Sequence, residues 1–413
     1  MTCQKKCVMT GEEQRHSETL DGTLAVVGAS YLQLPLVLKA RELGLRTVCF
    51  AWADGAVCRE ACDEFVELSI TEKERIAEAC AARNVRGIVT IASDVAVPTV
   101  CHVAAKLGLP GNSERSGFLS TNKGAMREAF AAAGVKVPQF AKVRDEAAGE
   151  AAAEGIGYPV IVKPADRSGS MGVTKLERRE GVRAAVREAL ACSLCGEAVV
   201  ERFVEGAEEI SIEGISHEGR YYPLTATDKV TTGSPHYVEL GHHQPSRHPR
   251  EVLERALAQA ELGVKALEIR EGATHSELMI TVDGEVYVTE IGARMGGDFI
   301  GSDLVELSTG YDFVRGVIEV ACGAFREPQF GTRRHSGVWF YSEMTKAAGS
   351  VIRRAGELPG IVRAELQDEQ LRPLKRSADR SGYFIYAGDR RMEIEDFSPR
   401  QGGVQASGQG GGV

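Results

Sequence analysis

Two glutamates, Glu277 and Glu290, lie on either side of a turn in the segment 275–294, HSELMITVDGEVYVTEIGAR. Two runs in which apolar and polar residues alternate flank Asp283-Gly284, a pair typical of a tight two-residue β-hairpin loop. Such a loop fixes the strand register. Counting outward along both strands places Glu277 opposite Glu290, with Cβ atoms roughly 5 Å apart on one face.

The same register predicts that Met279 faces Val288 and that Thr281 faces Val286, so the carboxylate face carries an apolar stripe and is expected to be covered. Opposed like charges need a shared proton, an arginine or a divalent cation. Arg294 follows closely. Carboxylate pairs suit Mg²⁺, which usually also takes phosphate oxygens of a substrate. The alternative is an exposed hairpin edge held by salt bridges.

A second segment has the composition of a phosphate-binding loop. Lys163 ends the apolar run YPVIVKP and is followed by PADRSGSMGV. The small residues of this turn are Ser168, Gly169, Ser170 and Gly172. Small residues allow backbone N–H groups to approach phosphate oxygens, while the lysine adds a point charge. A Gly/Ser turn alone is more often an ordinary hairpin loop.

The composition is that of a globular protein: 413 residues, 43% hydrophobic and 26% charged, with a formal net charge of −9. This charge gives no electrostatic reason to expect binding to nucleic acid or to an anionic membrane. Because the sequence shows neither a long apolar run nor the apolar stretch of a secretory signal, we expect a cytoplasmic protein. The ten cysteines fit reduced, packed thiols, and the Cys192/Cys195 pair lacks a second pair at zinc spacing.

Alternating strand-like and helical stretches from Leu24 onward predict a doubly wound parallel unit over 21–120. The turn after Gly28 reads GASYLQ rather than GxGxxG, which favours a plain strand-to-helix turn over a dinucleotide site. Residues 1–20 and 398–413 are polar or Gly/Gln-rich, and we expect both to be disordered. The remainder reads as α+β, with a β-rich end.

The order of these motifs resembles the ATP-grasp superfamily over most of the chain: a lysine in TNKGAMREAF, then KPADRSGSMGV, VERFVEG, and finally the paired carboxylates and arginine. The resemblance implies an α/β and α+β fold in which two lobes clasp ATP. It divides the chain into a pre-ATP-grasp domain at 21–120, a lid at 121–205, a catalytic subdomain at 206–328 and a C-terminal subdomain at 329–397.

The resemblance also implies a role for individual residues. Lys123 and Lys163 reach the phosphates, and the loop from Arg167 to Val173 closes over them. Its nucleotide-binding residues are Ser168, Gly169, Ser170, Met171 and Gly172. Glu201, Phe203 and Val204 match the hinge that contacts adenine, and Glu209 matches the ribose-binding acid. Glu277 and Glu290 match the magnesium ligands, and Arg294 matches the arginine that neutralises an acyl phosphate.

One position departs from the family pattern. Members commonly read Glu-x-Asn-x-Arg with the asparagine as a further magnesium ligand, whereas Gly292 stands here. Bidentate binding by Glu290, a water or Asp298 would fill the gap. The chain is therefore expected to use ATP with one or two Mg²⁺ ions, for which Mn²⁺ can substitute.

Within the superfamily, GATHSE, EIGARMGGD and VELGHHQPS look most like L-amino acid ligases, which phosphorylate one amino acid and let an amine attack it. This resemblance implies small-molecule carboxylate and amine substrates, and homodimers are common in the family. Asp298, after Gly297, would bind a substrate ammonium or cap a helix. One of the two histidines His242 and His243, with His243 as the catalytic candidate, would face the acyl phosphate. The alternative is a histidine on the surface. Ser93 and Asp94 would reach a substrate.

Two other functions stay open at the level of sequence. The first is an ATP-grasp enzyme that activates bicarbonate or formate, although nothing indicates a biotin or ribonucleotide acceptor. The second is a nucleotide-binding protein that has lost catalysis, for which Gly292 is the only hint. Retention of both lysines, both carboxylates and Arg294 argues against such a loss, because buried charge is costly to keep without a use.

Overall fold

A computed structural model of the protein describes residues 19–167, 171–234, 236–331 and 333–397. The predicted disordered tails fall almost wholly outside the described residues, as do Ser168, Gly169 and Ser170. At the predicted end of the first tail, the Leu20 backbone N–H donates to Leu43 O at 2.6 Å. The chain divides into two units, one with residues up to Asp228 and 244–333, the other with 229–243 and the residues from 334 onward.

The first unit begins with a parallel sheet between helices, as the sequence predicts. Its strands are β1 (Thr23–Val27), β2 (Arg46–Ala51), β3 (Glu64–Glu67) and β4 (Gly87–Val89), in the order β3-β2-β1-β4. Its helices are α1 (Leu34–Glu42), α2 (Lys73–Ala82) and α3 (Val97–Leu107). Leu24 and Val26 pack in one apolar core while Ala25 and Val27 pack in another, so both faces of β1 are buried.

An antiparallel sheet with helices follows. Its helices are α4 (Glu114–Leu119), α5 (Lys123–Ala132), α6 (Glu146–Ile156) and α7 (Val182–Cys192). Its strands are β5 (Phe140–Val143), β6 (Val160–Pro164), β7 (Thr174–Leu176) and β8 (Ala198–Arg202), in the order β5-β8-β6-β7. α6 and α7 share a core with β6 and β8. The Asn122 side chain caps α5 by accepting from Ala125 N, so the helix begins at Lys123.

A second antiparallel sheet carries the predicted carboxylates. Its strands are β9 (Glu208–His217), β10 (Arg220–Thr231, in this unit as far as Asp228), β12 (Gly272–Ile280) and β13 (Val286–Gly292), in the order β13-β12-β9-β10. The helices of this region are α8 (Arg250–Ala266), α9 (Val305–Thr309) and α10 (Phe313–Ala321). One face of the sheet packs through Ile210, Leu278 and Val288 into a core shared with α8.

The second unit is built on β11 (Glu239–Gln244, in this unit as far as His243), β14 (His335–Tyr341), β15 (Ile361–Leu366) and β16 (Gly382–Gly388), with α11 (Ala347–Arg353). Its strand order is β11-β14-β16-β15. The sequence analysis assigns 229–243 to the catalytic subdomain, whereas the structure groups this segment with β14 because β11 pairs beside that strand. In the described part of the chain, no helix combines the length and apolarity needed to cross a bilayer.

The β12–β13 hairpin confirms the predicted pairing of Glu277 with Glu290 but not the predicted turn. Thr281 N donates to Glu285 O at 2.9 Å, so the loop has three residues and ends at Gly284, whose φ is +79°. A three-residue loop shifts the register by one residue. A bulge at Thr289, which faces no residue on β12, shifts the register back before Glu290.

The predicted apolar stripe on the carboxylate face is therefore wrong. Val288 pairs with Leu278, and Val286 pairs with Ile280, so both valines turn into the core instead. Met279 faces Tyr287. The physical reason is the two-residue period of a strand, in which a shift of one residue moves every side chain to the other face. The carboxylate face is consequently open to polar chemistry.

Candidate active site

The sheet face opposite the α8 core collects acidic side chains from three strands. In the β9–β12 register, Glu277 faces Ser211, Met279 faces Glu209 and His275 faces Glu213. Glu290 on β13 joins them through its pairing with Glu277. Because strand residues alternate between faces, the apolar residues between these positions bury themselves while the polar ones share one surface.

Lys123 connects this face to the predicted phosphate loop. Its Nζ lies 3.1 Å from Glu290 Oε1 and donates to Arg167 O at 2.8 Å. Its backbone N–H donates to Ala165 O, so the start of α5 is tied to the loop that follows β6. The positive end of a helix together with a lysine is a suitable environment for phosphate.

Lys163, the second predicted phosphate lysine, belongs to a buried ionic cluster. Its Nζ lies 2.9 Å from Glu201 Oε2, and Arg127 Nε lies 2.8 Å from Glu201 Oε1. The Arg127 side chain is fully buried. Arg127 lies one turn after Lys123 on α5, so a single helix positions cations for both lysine sites.

The cluster shifts the pKa values of two of its members. Burial raises the pKa of the Glu201 carboxyl, but Arg127 and Lys163 overcome that effect and lower it to about 2. Burial lowers the pKa of Lys163, and the positive charges of Arg127 and Lys123 lower it further. The negative charge of Glu201 raises this pKa only in part, so it stays below the usual value. Glu201 therefore stays ionised and keeps the ammonium of Lys163 in place.

The described part of the phosphate loop is anchored on the end of α7. Asp166 accepts from the backbone N–H groups of Leu194 and Cys195 at 3.0 and 2.7 Å. Arg167 Nε donates to Cys192 O at 2.6 Å. Gly172 has φ +68°, which explains glycine at that position. Met171 is exposed.

Arg294 is held by Asp94, a residue that follows β4 of the N-terminal sheet. Arg294 Nε and Nη2 donate to Asp94 Oδ1 and Oδ2 at 2.8 and 2.9 Å, a bidentate pair. Burial disfavours the charged guanidinium, but Asp94, Glu277 and Glu290 raise the pKa of Arg294 above its usual value. Arg294 is thus a permanent cation beside the two carboxylates.

Sequence reasoning missed a buried histidine–carboxylate pair beneath Glu277. His275 Nδ1 lies 2.8 Å from Glu213 Oε1, and His275 Nε2 lies 3.3 Å from Glu277 Oε1. Burial opposes protonation of the ring, but Glu213 raises the pKa of His275. The available signal was the two-residue spacing of His275 and Glu277, which places both on one strand face.

Several of these groups border one cleft of about 910 Å³, a volume that includes space open to solvent. Asp94, Lys123, Arg167 and Glu290 all line it. The cleft thus brings the N-terminal sheet, the start of α5, the phosphate loop and the carboxylate strand to one place.

The family model described as ATP-grasp domain matches residues 156–303. Residues 156–303 are an ATP-grasp domain. The matched range contains β6, the described loop residues and the hairpin with Glu277 and Glu290.

Curated relatives of this chain are similar over part of their length. Alanine–anticapsin ligase of Bacillus subtilis (strain 168) is 26% identical over 255 residues, which cover 57% of this chain and 53% of the relative. D-Alanine–D-alanine ligase of Geobacter sulfurreducens is 30% identical over 209 residues, which cover 48% of this chain and 63% of the relative. The chain spans about half the length of the first of these relatives.

Solved structures show the same ATP-grasp fold. The L-amino acid ligase from Bacillus licheniformis superposes with a TM-score of 0.74 at 21% identity, covering 91% of this chain and 95% of that one. Phosphoribosylglycinamide synthetase from Anaerococcus prevotii gives a TM-score of 0.71 at 21% identity, covering 90% and 95%. At these identities the likeness establishes the fold.

The residues predicted to hold adenine and ribose lie at the ends of β8 and β9 of the ATP-grasp domain. Lys175 Nζ lies 4.1 Å from the centre of the Phe203 ring, a cation–π contact. Phe203 N donates to Pro159 O at 3.0 Å. Phe203, Val204 and Glu209 are half-buried, whereas Glu201 is buried in the ionic cluster. Their nucleotide roles stay predictions.

The paired carboxylates fit the donor set of a magnesium site. Glu277 and Glu290 keep 28% and 23% of their side-chain surface exposed, so their oxygens face the solvent side of the sheet. Across the described ranges, no group of three or more His, Cys, Asp or Glu side chains is arranged to hold one ion. A bound Mg²⁺ would therefore complete its coordination with phosphate oxygens and water, as this ion usually does.

The predicted substrate residues Ser93, Gly297 and Asp298 lie beside a strained stretch of backbone. Asp298 and its neighbour Phe299 have φ values of +48° and +68°, and Ala92, next to Ser93, has +56°. Ala92 N donates to Met295 O at 3.1 Å, which joins the two loops. Non-glycine residues in this region cost energy and cluster at functional sites. The following helical turn begins at Ile300 and has Phe299 at its N-cap position. The alternative that Asp298 is the N-cap of this turn is therefore wrong.

His243 belongs to the second unit. Its Nδ1 lies 2.9 Å from Tyr386 Oη, and its ring packs against Trp339 with centroids 4.8 Å apart. His242 packs edge-on against Phe340. Both histidines are buried, so the alternative of a surface histidine is wrong. The catalytic assignment of His243 stays a prediction.

Proposed function

We propose that the protein is an ATP-dependent carboxylate–amine ligase. It forms an acyl phosphate on an amino acid, lets the amino group of a second amino acid or another amine attack it, and releases ADP and phosphate. The observation that carries this proposal is that Lys123 and Glu290 line one cleft together with Asp94, the residue that holds Arg294.

In the first step, a carboxylate oxygen attacks the γ-phosphorus of ATP, and the bond to ADP breaks. Two anions must approach, so cations are needed to offset their repulsion. Lys123 stands at the positive end of α5, and Lys163 is held by Glu201. Magnesium, bound by Glu277 and Glu290 with the nucleotide, would neutralise phosphate charge and polarise the transferred group.

In the second step, the amine attacks the acyl carbon, and an oxyanion develops before phosphate leaves. Arg294 is suited to stabilise that oxyanion because its charge is permanent and its orientation is fixed by Asp94. The low exposure of the pair limits competition from water, which strengthens electrostatic interactions. The attacking amine loses a proton in this step.

The similar proteins support this assignment: two of the relatives are ligases of alanine, and one structural neighbour is an L-amino acid ligase. Since the curated alignments cover about half of the first relative's length, the activity and substrates of the whole protein remain our proposal.

The test is a screen of purified protein with Mg-ATP and each amino acid, singly and in pairs, reading ADP, phosphate and condensed product. The ligase proposal predicts that at least one pair drives release of ADP and phosphate together with an amide. Glu290→Gln should abolish this release. Glu285→Gln is the matched control, because Glu285 borders the same hairpin but faces Lys136 at the surface.

Three outcomes oppose the proposal. Release of ADP with bicarbonate or formate instead of amino acids would favour the other ATP-grasp chemistry. Binding of ATP with no release under any condition would indicate a nucleotide-binding protein without catalysis. Equal activity of Glu290→Gln and Glu285→Gln would show that the pair of Glu277 and Glu290 is not needed for catalysis.

A further inference from the structure

Gly292, the position where family members commonly carry an asparagine, leaves little room for a side chain. A Cβ atom built on Gly292 would lie 3.0 Å from Asp94 Oδ1 and 3.2 Å from Arg294 Nε. Its backbone is not in the left-handed region that favours glycine. The space beside Gly292 is therefore taken by the Asp94–Arg294 pair, which would have to shift to admit a side chain there.

Asp94 reaches this space from a distant part of the chain. It is 200 residues from Arg294 in sequence, and it follows β4 at the carboxyl edge of the N-terminal sheet. The side chains of Asp94 and Arg294 keep only 15% and 14% of their surface exposed. Because both oxygens of Asp94 accept from Arg294, the guanidinium plane cannot rotate without breaking two charged hydrogen bonds.

We propose that Asp94 is a positioning residue: it occupies the place of the side chain absent at Gly292 and orients Arg294 toward the acyl phosphate. This inference rests on the proposed ligase function. Asp94 binds Nε and one edge of Nη2, so Nη1, whose contact with Met295 O is long at 3.5 Å, is the part of the guanidinium directed to substrate oxygen. Asp94 thus acts through Arg294 rather than on a substrate.

The same geometry makes Asp94 and Gly292 a matched pair. An asparagine at position 292 would press its Cβ against Asp94 Oδ1 at 3.0 Å, so Asp94 would have to move from its present place. When position 94 is alanine, the space becomes available, and the amide oxygen of an asparagine at 292 can accept from Arg294. The two substitutions should therefore compensate each other.

The test is a four-member cycle of wild type, Asp94→Ala, Gly292→Asn and the double variant, in the full-length protein. Each single variant should lower kcat about 10- to 100-fold, the usual effect of removing a group that orients an active-site residue. The KM for ATP should change much less, because neither group is a nucleotide ligand. The double variant should be at least 10-fold more active than the product of the single effects predicts.

A matched control separates positioning from general loss of an ion pair. Glu64, on β3 of the same N-terminal sheet, forms a bidentate pair with Arg83 at the end of α2, away from the cleft. Glu64→Gln should leave kcat and KM unchanged. Independent effects of Asp94→Ala and Gly292→Asn on kcat, or an unchanged kcat in Asp94→Ala, would overturn the inference.

A second readout does not depend on catalysis. Gly292→Asn should lower the urea midpoint of unfolding when Asp94 is present and should lower it less when position 94 is alanine. If wild type forms no amide but this coupling is found, the ligase proposal fails while the pairing of Asp94 with Gly292 stands. If the urea midpoints are additive, the pairing itself is refuted.

Discussion

At the scale of residues, the proposed site contains ion pairs that would place charge where phosphate transfer needs it. The Lys163–Glu201–Arg127 cluster is buried, and removal of one member of such a cluster leaves uncompensated charge. Lys123 instead lies beside the cleft and links Glu290 to the phosphate loop. The two lysines should therefore respond differently to substitution.

Glu201→Gln should destabilise the protein at pH 7 by about 3–5 kcal/mol, because Arg127 and Lys163 stay buried without their partner. The wild-type carboxyl has its pKa lowered to about 2 by that cluster. Its stabilising effect is therefore present above pH 4.5 and is lost as pH falls toward 2. Urea unfolding between pH 5 and pH 3 should show a steeper loss of stability in wild type than in Glu201→Gln.

The variant Glu150→Gln, which removes a half-buried partner of the exposed Arg179, is the control for that series. It should leave both the midpoint and its pH dependence nearly unchanged. A wild-type pH dependence identical to that of Glu201→Gln would contradict the assignment of an ionised buried glutamate.

Lys123→Met should weaken MgATP binding about 10- to 100-fold, since a charged hydrogen bond contributes about 1.5–3 kcal/mol. Titration with a fluorescent ATP analogue measures this directly. Lys265→Met, which removes an exposed lysine paired with Glu261 on α8, should bind as wild type does. Equal affinities for the two variants would exclude Lys123 from the phosphate site.

At the scale of elements, the hairpin shows what local sequence determines and what it does not. The alternation of the two strands and the facing of Glu277 with Glu290 were predicted. The three-residue loop and the bulge at Thr289 were not predicted. The Asp283-Gly284 pair is compatible with a two-residue or a three-residue loop, and a bulge has no clear sequence pattern. The two register shifts cancel at Glu290 but not at Val288. The predicted pairing of Glu277 with Glu290 was therefore right, and the predicted apolar stripe on the carboxylate face was wrong.

Longer-range pairs could not be predicted from local patterns. Arg127 and Glu201 are 74 residues apart, and Asp94 and Arg294 are 200 apart. Their contacts arise only when α5, β8 and the N-terminal sheet are assembled. The parallel direction of the N-terminal strands was predictable, because alternating strands and helices strongly favour a doubly wound parallel sheet.

Gly284→Ala tests the observed loop. With φ at +79°, an alanine there should cost about 1 kcal/mol of stability. Gly155→Ala is the matched control: Gly155 is helical, and an added Cβ meets no atom within 4 Å, so stability should rise by about 0.5–1 kcal/mol. Urea unfolding measures both, and a stabilised Gly284→Ala would contradict the left-handed loop.

At the scale of the whole molecule, the first unit brings groups from three sheets to one cleft, so nucleotide should hold them together. A ligand that binds only the folded state at 100 times its Kd adds about 2.7 kcal/mol. MgATP should therefore raise the Tm of wild type and of Glu285→Gln. It should raise the Tm of Glu277→Gln/Glu290→Gln much less, and an equal shift would refute the carboxylate site.

The central claim is that a carboxylate attacks ATP to form an acyl phosphate, and oxygen tracing tests it most directly. The carboxylate of the activated amino acid is labelled with ¹⁸O, the reaction is run with Mg-ATP and the acceptor amine, and the phosphate is analysed by mass spectrometry. The proposed chemistry predicts transfer of one ¹⁸O from the acid to each phosphate released. Unlabelled phosphate, released together with the amide, would contradict it.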